Sequence, residues 1–363
     1  MKDKQYEINL ILLLISPTNH LILNIEILLF IRMHNNKMNL QKTNSLVLMS
    51  INLRNRNIVY ILFFVLGGVL LSIFNSNNDS YYKVYAQYEN ISINTIKLTD
   101  SLYMLQGAGG NILISAGQNG VFMVDDQFAP LTVKIKDAIS KITDKPIQFV
   151  INTHWHPDHT GGNENLGETG TIIVSHDNVK KRLSTEQFSD FFKRSVPPLS
   201  EKGLPIITFS NNMTIYQNDD QINIIHMDSG HTDGDSIVHF TKNNVIHVGD
   251  DFSDKAYPFI DISSGGTVEG LISSLKTISS IINDETKVVS GHTGISNKTK
   301  VNEYANMLTD VRNQISQMIN EGKSLESIIT LQPTSKYDKI YYDNTTIKPE
   351  DFVTHVYQSL TQK

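Results

Sequence analysis

The chain has 363 residues, 40% of them hydrophobic and 19% charged, enough for one large globular domain or two ordinary ones. A net charge of -6 and a pI near 6.0 argue against a nucleic-acid module, which neutralises phosphates with a clustered excess of Lys and Arg, and leave a small-molecule substrate as the default. The absence of cysteine excludes disulfides, thiolate-ligated zinc, iron–sulfur clusters and a Cys nucleophile, so any metal must be held by imidazole and carboxylate.

Residues 1–86 are rich in Ile, Leu and Asn, poor in acids, and read as an N-terminal extension that carries a targeting segment. An early apolar stretch, Leu10 to Ile31, is interrupted by Pro17, Asn19, His20, Asn24 and Glu26, which argues against a membrane span. Met38 and Met49 both offer alternative starts, and a start at Met49 would leave a short basic region ahead of the next apolar run. Arg54 and Arg56 precede that run, 58–74, and Val84-Tyr85-Ala86 offers a cleavage site beyond it. That is the layout of a signal peptide or an uncleaved membrane anchor, and the run's length lies at the short end of the roughly 17–25 residues that span a bilayer. On either reading the positive flank stays inside and the rest of the chain is exported.

From Gln87 the pattern is that of one α/β domain, 87–363, with its core over about 95–295. Apolar runs at Leu102 to Leu105, Asn111 to Ser115 and Val121 to Val124, separated by Gly-bearing turns, predict antiparallel strands. Helical spacing of Leu131, Ile135, Ala138, Ile139 and Ile142 predicts a helix that Lys145-Pro146 ends. Ile147 to Ile151 reads as a buried strand running into His154-Trp155-His156-Pro157-Asp158-His159. Leu183 to Pro205, with Pro197-Pro198, is a long connection that reads either as a substrate loop or as a surface insertion. Strands follow at Met213 to Tyr216, Ile222 to Met227, Ser236 to Phe240 and Val245 to Val248, then a helix from Val268 to Ile282 and a last strand at Val288-Val289. The C-terminal part, 301–363, reads as two amphipathic helices, Val301 to Ile319 and Pro349 to Leu360.

Three imidazoles and a carboxylate lie within the six residues His154 to His159, at the point where a strand empties into a loop. All are ligand types for first-row metals. Residues at i and i+2 of extended chain project to the same side, so His154 and His156 can converge on one ion. Pro157 then turns the chain, and Asp158 and His159 can face a second. Three further candidates share one local pattern, a buried strand, then Gly, then a ligand: His231 after Gly230, Asp250 after Gly249 and His292 after Gly291. Gly allows a tight turn that holds the ligand at a rigid strand end. His176 begins a helix and either lines the pocket or sits at the surface. His226, His239 and His247 lie inside strands as core or sheet-face residues. Asp251 can support Asp250, and His355 in the terminal helix has no assigned role.

The set His154-x-His156-x-Asp158-His159 with His231, Asp250 and His292 resembles the ligand set of the metallo-β-lactamase superfamily, over about residues 95 to 295. The resemblance implies an α+β fold, a four-layer αβ/βα sandwich with the site along one edge of two sheets. It further implies that His154, His156 and His231 bind a first metal and Asp158, His159 and His292 a second, with Asp250 bridging. Two divalent ions in such sites stand ~3.5–4 Å apart and lower the pKa of a shared water from about 15.7 to about 7, making it nucleophilic near neutral pH. Asp158 is the candidate catalytic residue, able to bind metal and to orient that nucleophile. Zinc is the first choice for these ligands, and iron and manganese are compatible with them.

Within the superfamily, the Cys-ligated zinc β-lactamases are excluded. The other β-lactamases share Asp158, His159 and His292 but generally lack a bridging carboxylate, whereas Asp250 resembles the glyoxalase II-like thioesterases, lactonases and phosphodiesterases. Export favours a β-lactam, lactone or ester over a cytosolic thioester. The segment after Asp250 offers Tyr257, Phe259 and Ile260 either as an apolar pocket wall or as packing. An iron-dependent oxidoreductase, similar to the mono-iron persulfide dioxygenases, would use the same histidines and is distinguished by its metal. A non-catalytic binding protein would be expected to have lost ligands. Oligomeric state is not legible.

Overall fold

The computed structural model describes residues 6–13, 23–33, 47–53, 87–342 and 347–362, and divides the chain between Lys83 and Val84. In the first unit, β1 (Tyr6–Leu13), β2 (Leu23–Met33) and β3 (Val47–Leu53) form an antiparallel sheet in that order. The ends of the stretch Leu10 to Ile31 thus fall in β1 and β2, and its residues 14–22, Pro17 and Asn19 included, lie outside the described residues. The apolar run 58–74 and the Val84 to Ala86 site lie outside the described residues. Among the described residues no helix is long and apolar enough to cross a membrane.

In the second unit, the first sheet takes β4 (Asn94–Lys97), β5 (Leu102–Gln106), β6 (Ile112–Gly117) and β7 (Gly120–Val124) as an antiparallel meander. Then β8 (Ile147–Asn152) and β9 (Ile172–His176) join in parallel. The change of sense follows from the connections: tight Gly turns permit only antiparallel neighbours, whereas α1 (Thr132–Ser140) supplies the crossover that β7 to β8 needs. Alternation along these strands sends residues to two cores. Leu113, Phe122 and Val124 enter the layer between the sheets, while Ile112, Ile114, Val121 and Met123 pack under Ile135, Ala138 and Ile139 of α1.

Two short helices, α2 (Pro157–Thr160) and α3 (Asn163–Gly167), lead to β9, and α4 (Asp177–Leu183) follows it. The connection after Leu183 differs from an unstructured loop: β10 (Gln187–Ser189) and β11 (Arg194–Val196) pair as a hairpin, and Leu199 N–H returns to the Leu183 carbonyl at 2.9 Å. Strands this short leave no periodicity to read. The edge strand β12 (Ile207–Phe209) then completes a seven-stranded sheet.

The second sheet runs in sequence order through β13 (Asn212–Gln217), β14 (Asp220–His226), β15 (Ser236–Phe240), β16 (Val245–His247), β17 (Lys287–Val289) and β18 (Ile295–Ser296). Ile222, Ile224, Val238, Phe240 and Val289 face the first sheet, and Ile237, Ile246 and Val288 face helices. Those helices are α5 (Val268–Ile281), capped by Thr267, and α6 (Lys298–Asn320), capped by Asn297. After α6 come α7 (Leu325–Thr330), α8 (Asp338–Tyr341) and α9 (Pro349–Thr361). Helix, sheet, sheet, helix is the four-layer α+β sandwich expected, and each fully buried Leu, Ile or Phe in it contributes about 1.5–3 kcal/mol.

Candidate metal centre

The C-terminal ends of two parallel pairs meet at one edge of the sandwich. β7 and β8 deliver Asp125 and the segment Thr153 to His159, while β16 and β17 deliver Asp250 and His292. The loop from β14 to β15 brings His231. Gly249 adopts φ +54°, the left-handed turn that aims Asp250 at the edge, and any side chain at Gly291 would collide with the Asp250 carboxylate. Asn111 at the head of β6 binds the far loop, its Nδ2 donating to the carbonyls of Ser290 (2.8 Å) and Thr293 (2.6 Å).

The seven expected ligands come together here. His154 Nε2 lies 3.1 Å from His156 Nδ1, which lies 2.9 Å from His231 Nε2. On the other side, His159 Nε2 and His292 Nε2 stand 3.2 Å apart, with Asp158 Oδ2 3.2 Å from His292 and 3.7 Å from His159. Asp250 lies between the groups: Oδ2 is 3.9 Å from His154, 3.7 Å from His231 and 3.2 Å from His292, and Oδ1 is 3.4 Å from His159. Metal–nitrogen bonds of about 2.0–2.1 Å in tetrahedral array place ligand atoms about 3.3 Å apart, so these spacings fit shared cations. Among the described residues the buried Oδ1 of Asp250 has no hydrogen-bond partner, which also fits an acceptor kept for a metal.

The outward nitrogens of four of the rings are held by Asp125, Thr153 and Asp261, which the sequence did not single out, and by the backbone of Phe259. Asp125 Oδ2 accepts from His159 Nδ1 at 2.8 Å and from Thr153 Oγ1 at 2.8 Å, and that hydroxyl in turn lies 3.1 Å from His154 Nδ1. Asp261 Oδ2 lies 3.0 Å from His156 Nε2, and the Phe259 carbonyl accepts from His231 Nδ1 at 2.6 Å. Such contacts fix tautomer and ring orientation, leaving the lone pairs facing inward.

Protonation follows the same geometry. Burial, with positive neighbours, keeps His154 well below the ordinary imidazole range and pushes His231 down to about 4, so both are neutral ligands at pH 7. At His159, burial is outweighed by Asp250, Asp158 and Asp125, which raise it to about 9, and Asp250 also raises His292. Burial would raise Asp158 and Asp250, yet the facing imidazoles hold both below the usual carboxylate range. Without metal this half of the centre is therefore an ion-pair cluster, whose protons a metal would displace.

Of the proposed pocket residues, Phe259 lies beside the centre, its ring stacked 6.0 Å from that of His156. Tyr257 is buried away from it, stacked on Phe352 and donating to Asp338 Oδ1 at 2.8 Å. His176 caps α4, accepting from Asn178 N–H, and stacks on His226 at 3.7 Å. His247 binds the Asn111 carbonyl within the sheet. Asp251 accepts from the His231 backbone N–H at 3.1 Å, and burial pushes it up to about 7.

The family model described as "Metallo-beta-lactamase superfamily" matches residues 100–292. A hydroxyacylglutathione hydrolase of Erythrobacter litoralis (strain HTCC2594) is 28% identical over 105 residues, which is 29% of this chain and 34% of that protein. The chain thus spans about a third of that relative's length. Among solved structures, a metallo-β-lactamase from Pontibacter korlensis superposes with TM-score 0.50 at 16% identity, covering 60% of this chain and all of that one. A stereoselective inverting sec-alkylsulfatase from Pseudomonas sp. superposes with TM-score 0.56 at 12% identity, covering 73% of this chain and 50% of that one. At these identities the structural likeness establishes the fold alone.

Proposed function

We propose that this chain, which belongs to the metallo-β-lactamase superfamily, is a hydrolase that would use two divalent metal ions, zinc first, to attack the carbonyl carbon of a β-lactam, lactone or ester-like substrate and break its acyl C–N or C–O bond. The observation that carries the reading is Asp250, whose two oxygens lie among His154, His231, His159 and His292 with Oδ1 otherwise unpartnered. His154, His156 and His231 would hold one ion, and Asp158, His159 and His292 the other. The ions supply Lewis-acid polarisation and a water acidified to near neutral pH. His292 and Asp158 are partly open to solvent, 46% and 25% exposed at their side chains, which makes this the face that substrate approaches. Asp158 orients the attacking water through its carboxylate. Asp125 and Asp261 hold the rings so that no reorganisation is needed during reaction.

The likeness to a hydroxyacylglutathione hydrolase supports a second reading, thioester hydrolysis by the same residues. The test is metal content by mass spectrometry on the full chain, with hydrolysis of a chromogenic β-lactam, a lactone and a thioester, and Asp158→Ala as control. Two zinc ions per chain and turnover of one substrate that falls at least about a hundredfold in the variant are expected. One iron per chain with oxygen uptake and no hydrolysis refutes the proposal. We further infer from Arg54, Arg56 and the run 58–74 that the domain acts outside the cytoplasm. A C-terminal tag digested by protease on intact cells supports this, and a protected tag refutes it.

A further inference from the structure

Beyond Phe259 lies a cavity of about 470 Å³, within the roughly 300–1,000 Å³ usual for small-molecule sites. Its wall is mixed: Phe191 of the hairpin, Phe259, Ile260 and Ile262 give an apolar side, and Thr354, His355 and Gln358 of α9 a polar one. One aromatic ring separates it from the metal ligands, since Phe259 stacks on His156 and meets His231 edge-on at 5.8 Å. The hairpin tip continues the wall: Phe191 and Phe192 lie 5.2 and 5.3 Å from Phe259, and Phe191 and Phe259 lie 5.1 and 5.4 Å from the His355 ring.

Two features here are not explained by folding. Phe191 on the cavity wall and Phe192 beside it, which touches the wall through Phe259, are 37% and 52% exposed, although burying them would stabilise the chain. His355 is only 5% exposed and lines the cavity, yet among the described residues its Nδ1 has no hydrogen-bond partner. A buried polar atom without a partner costs roughly 1–3 kcal/mol and asks for a ligand. The charged neighbours restrict what that ligand is. Asp261 and Asp351 border the cavity and disfavour an anion, while Lys193 and Asp190 on the rim, 76% and 75% exposed and 4.0 Å apart, offset each other. Burial pushes His355 down to about 4, so it faces the cavity as a neutral imidazole with one donor and one acceptor.

We infer that this cavity binds an apolar substituent of the substrate, alkyl or aryl, carrying one neutral hydrogen-bonding group such as a hydroxyl or amide, with Phe191, Phe192 and Phe259 covering the apolar part and His355 Nδ1 meeting the polar group. The placement beside His156 and His231 sets the carbonyl to be attacked next to the substituent, so the substrate class rests on the hydrolase reading. The pocket itself does not.

The test is equilibrium dialysis of the metal-loaded full chain against radiolabelled decan-1-ol and, separately, 1-chlorodecane. Saturable binding of the alcohol is expected, about tenfold tighter than of the chloride. Phe191→Ala with Phe192→Ala, both at an exposed tip and safe for folding, weakens both ligands by about tenfold. His355→Leu abolishes the preference for the alcohol and leaves chloride binding in place. No saturable binding, or unchanged binding in the hairpin variant, overturns the inference, whether or not His355→Leu folds. Binding without hydrolysis of any ester, lactone or thioester supports the pocket and refutes the hydrolase reading; hydrolysis without binding does the reverse.

Discussion

Replacing Asp125 with Asn tests whether the centre is oriented from behind. Asp125 directly follows β7 at φ 60°, fully buried, with Oδ1 accepting from the Thr153 N–H at 2.8 Å and Oδ2 from Thr153 Oγ1 and His159 Nδ1, each at 2.8 Å. Left-handed backbone at a non-glycine residue is a strain kept where other interactions over-determine it. Asparagine keeps the shape, but if its carbonyl stays on the Thr153 N–H its amide meets two donors where two hydrogen bonds were accepted. His159 then loses the partner that fixes its tautomer, and its proton can move to the inward Nε2. Loss of such a partner costs about 10–100-fold in metal affinity, or about 1.4–2.7 kcal/mol. An unpaired buried donor also lowers metal-free stability by roughly 1–3 kcal/mol. Competition with a chromophoric chelator resolves the two metals, and thermal unfolding with and without EDTA separates affinity from folding. The metal at His159, Asp158 and His292 should weaken by the full factor and the other by less. Equal weakening of both, or wild-type affinity at both, would refute the orienting role.

Single contacts elsewhere in the chain carry further predictions. Arg182 donates from Nε to Asp233 Oδ1 at 2.8 Å and from a terminal nitrogen to Oδ2 at 2.6 Å, and also binds the Gln187 side chain at 3.2 Å, tying the His231 loop to the hairpin. Arg182→Met should cost about 1–2 kcal/mol in urea unfolding and speed proteolysis within 187–196; an unchanged midpoint and cleavage rate would show the tie to be idle. Phe122, fully buried between the sheets and edge-on to Phe240 at 5.9 Å, should cost about 3–5 kcal/mol as Phe122→Ala, and a loss under 1 kcal/mol would mean the layer collapses to fill the space. His355, neutral in the fold down to about pH 4 against 6.5 for the free side chain, binds fewer protons folded than unfolded between those values. Its contribution is thus complete above pH 6.5 and lost as pH falls toward 4, by up to about 3 kcal/mol. Unfolding of His355→Gln should lack that part of the slope, and parallel pH profiles for the two proteins would contradict it.

Much of the sandwich is legible in the chain because strands declare themselves through alternation. The runs at 102–105, 121–124, 147–151, 236–240 and 245–248 match β5, β7, β8, β15 and β16 to within a residue, and the periodicity of 131–142 and 268–282 marks α1 and α5 within a residue or two. The hairpin at 187–196, the edge strand at 207–209 and the short helices after Asn320 escape this reading. Three to six residues hold too few repeats to show a period, and their pairing is decided by tertiary neighbours.

The candidate ligands were legible for a related reason: imidazoles and carboxylates crowd into 154–159, and a Gly before each of His231, Asp250 and His292 marks a strand end. What the sequence alone determines is therefore the ligand chemistry, the fold class those ligands accompany and the exclusion of thiolate. The supporting partners carry no such mark. Asp125 reaches His159 only because β7 lies parallel to β8, Asp261 and Phe259 reach His156 and His231 by a loop returning from Asp250, and His355 meets Phe259 only where α9 packs back. A ligand must be a particular residue type wherever it occurs, so type and spacing reveal it. Any carboxylate or carbonyl can hold a ring nitrogen, and which one does so is decided by the distance that folding brings to about 3 Å.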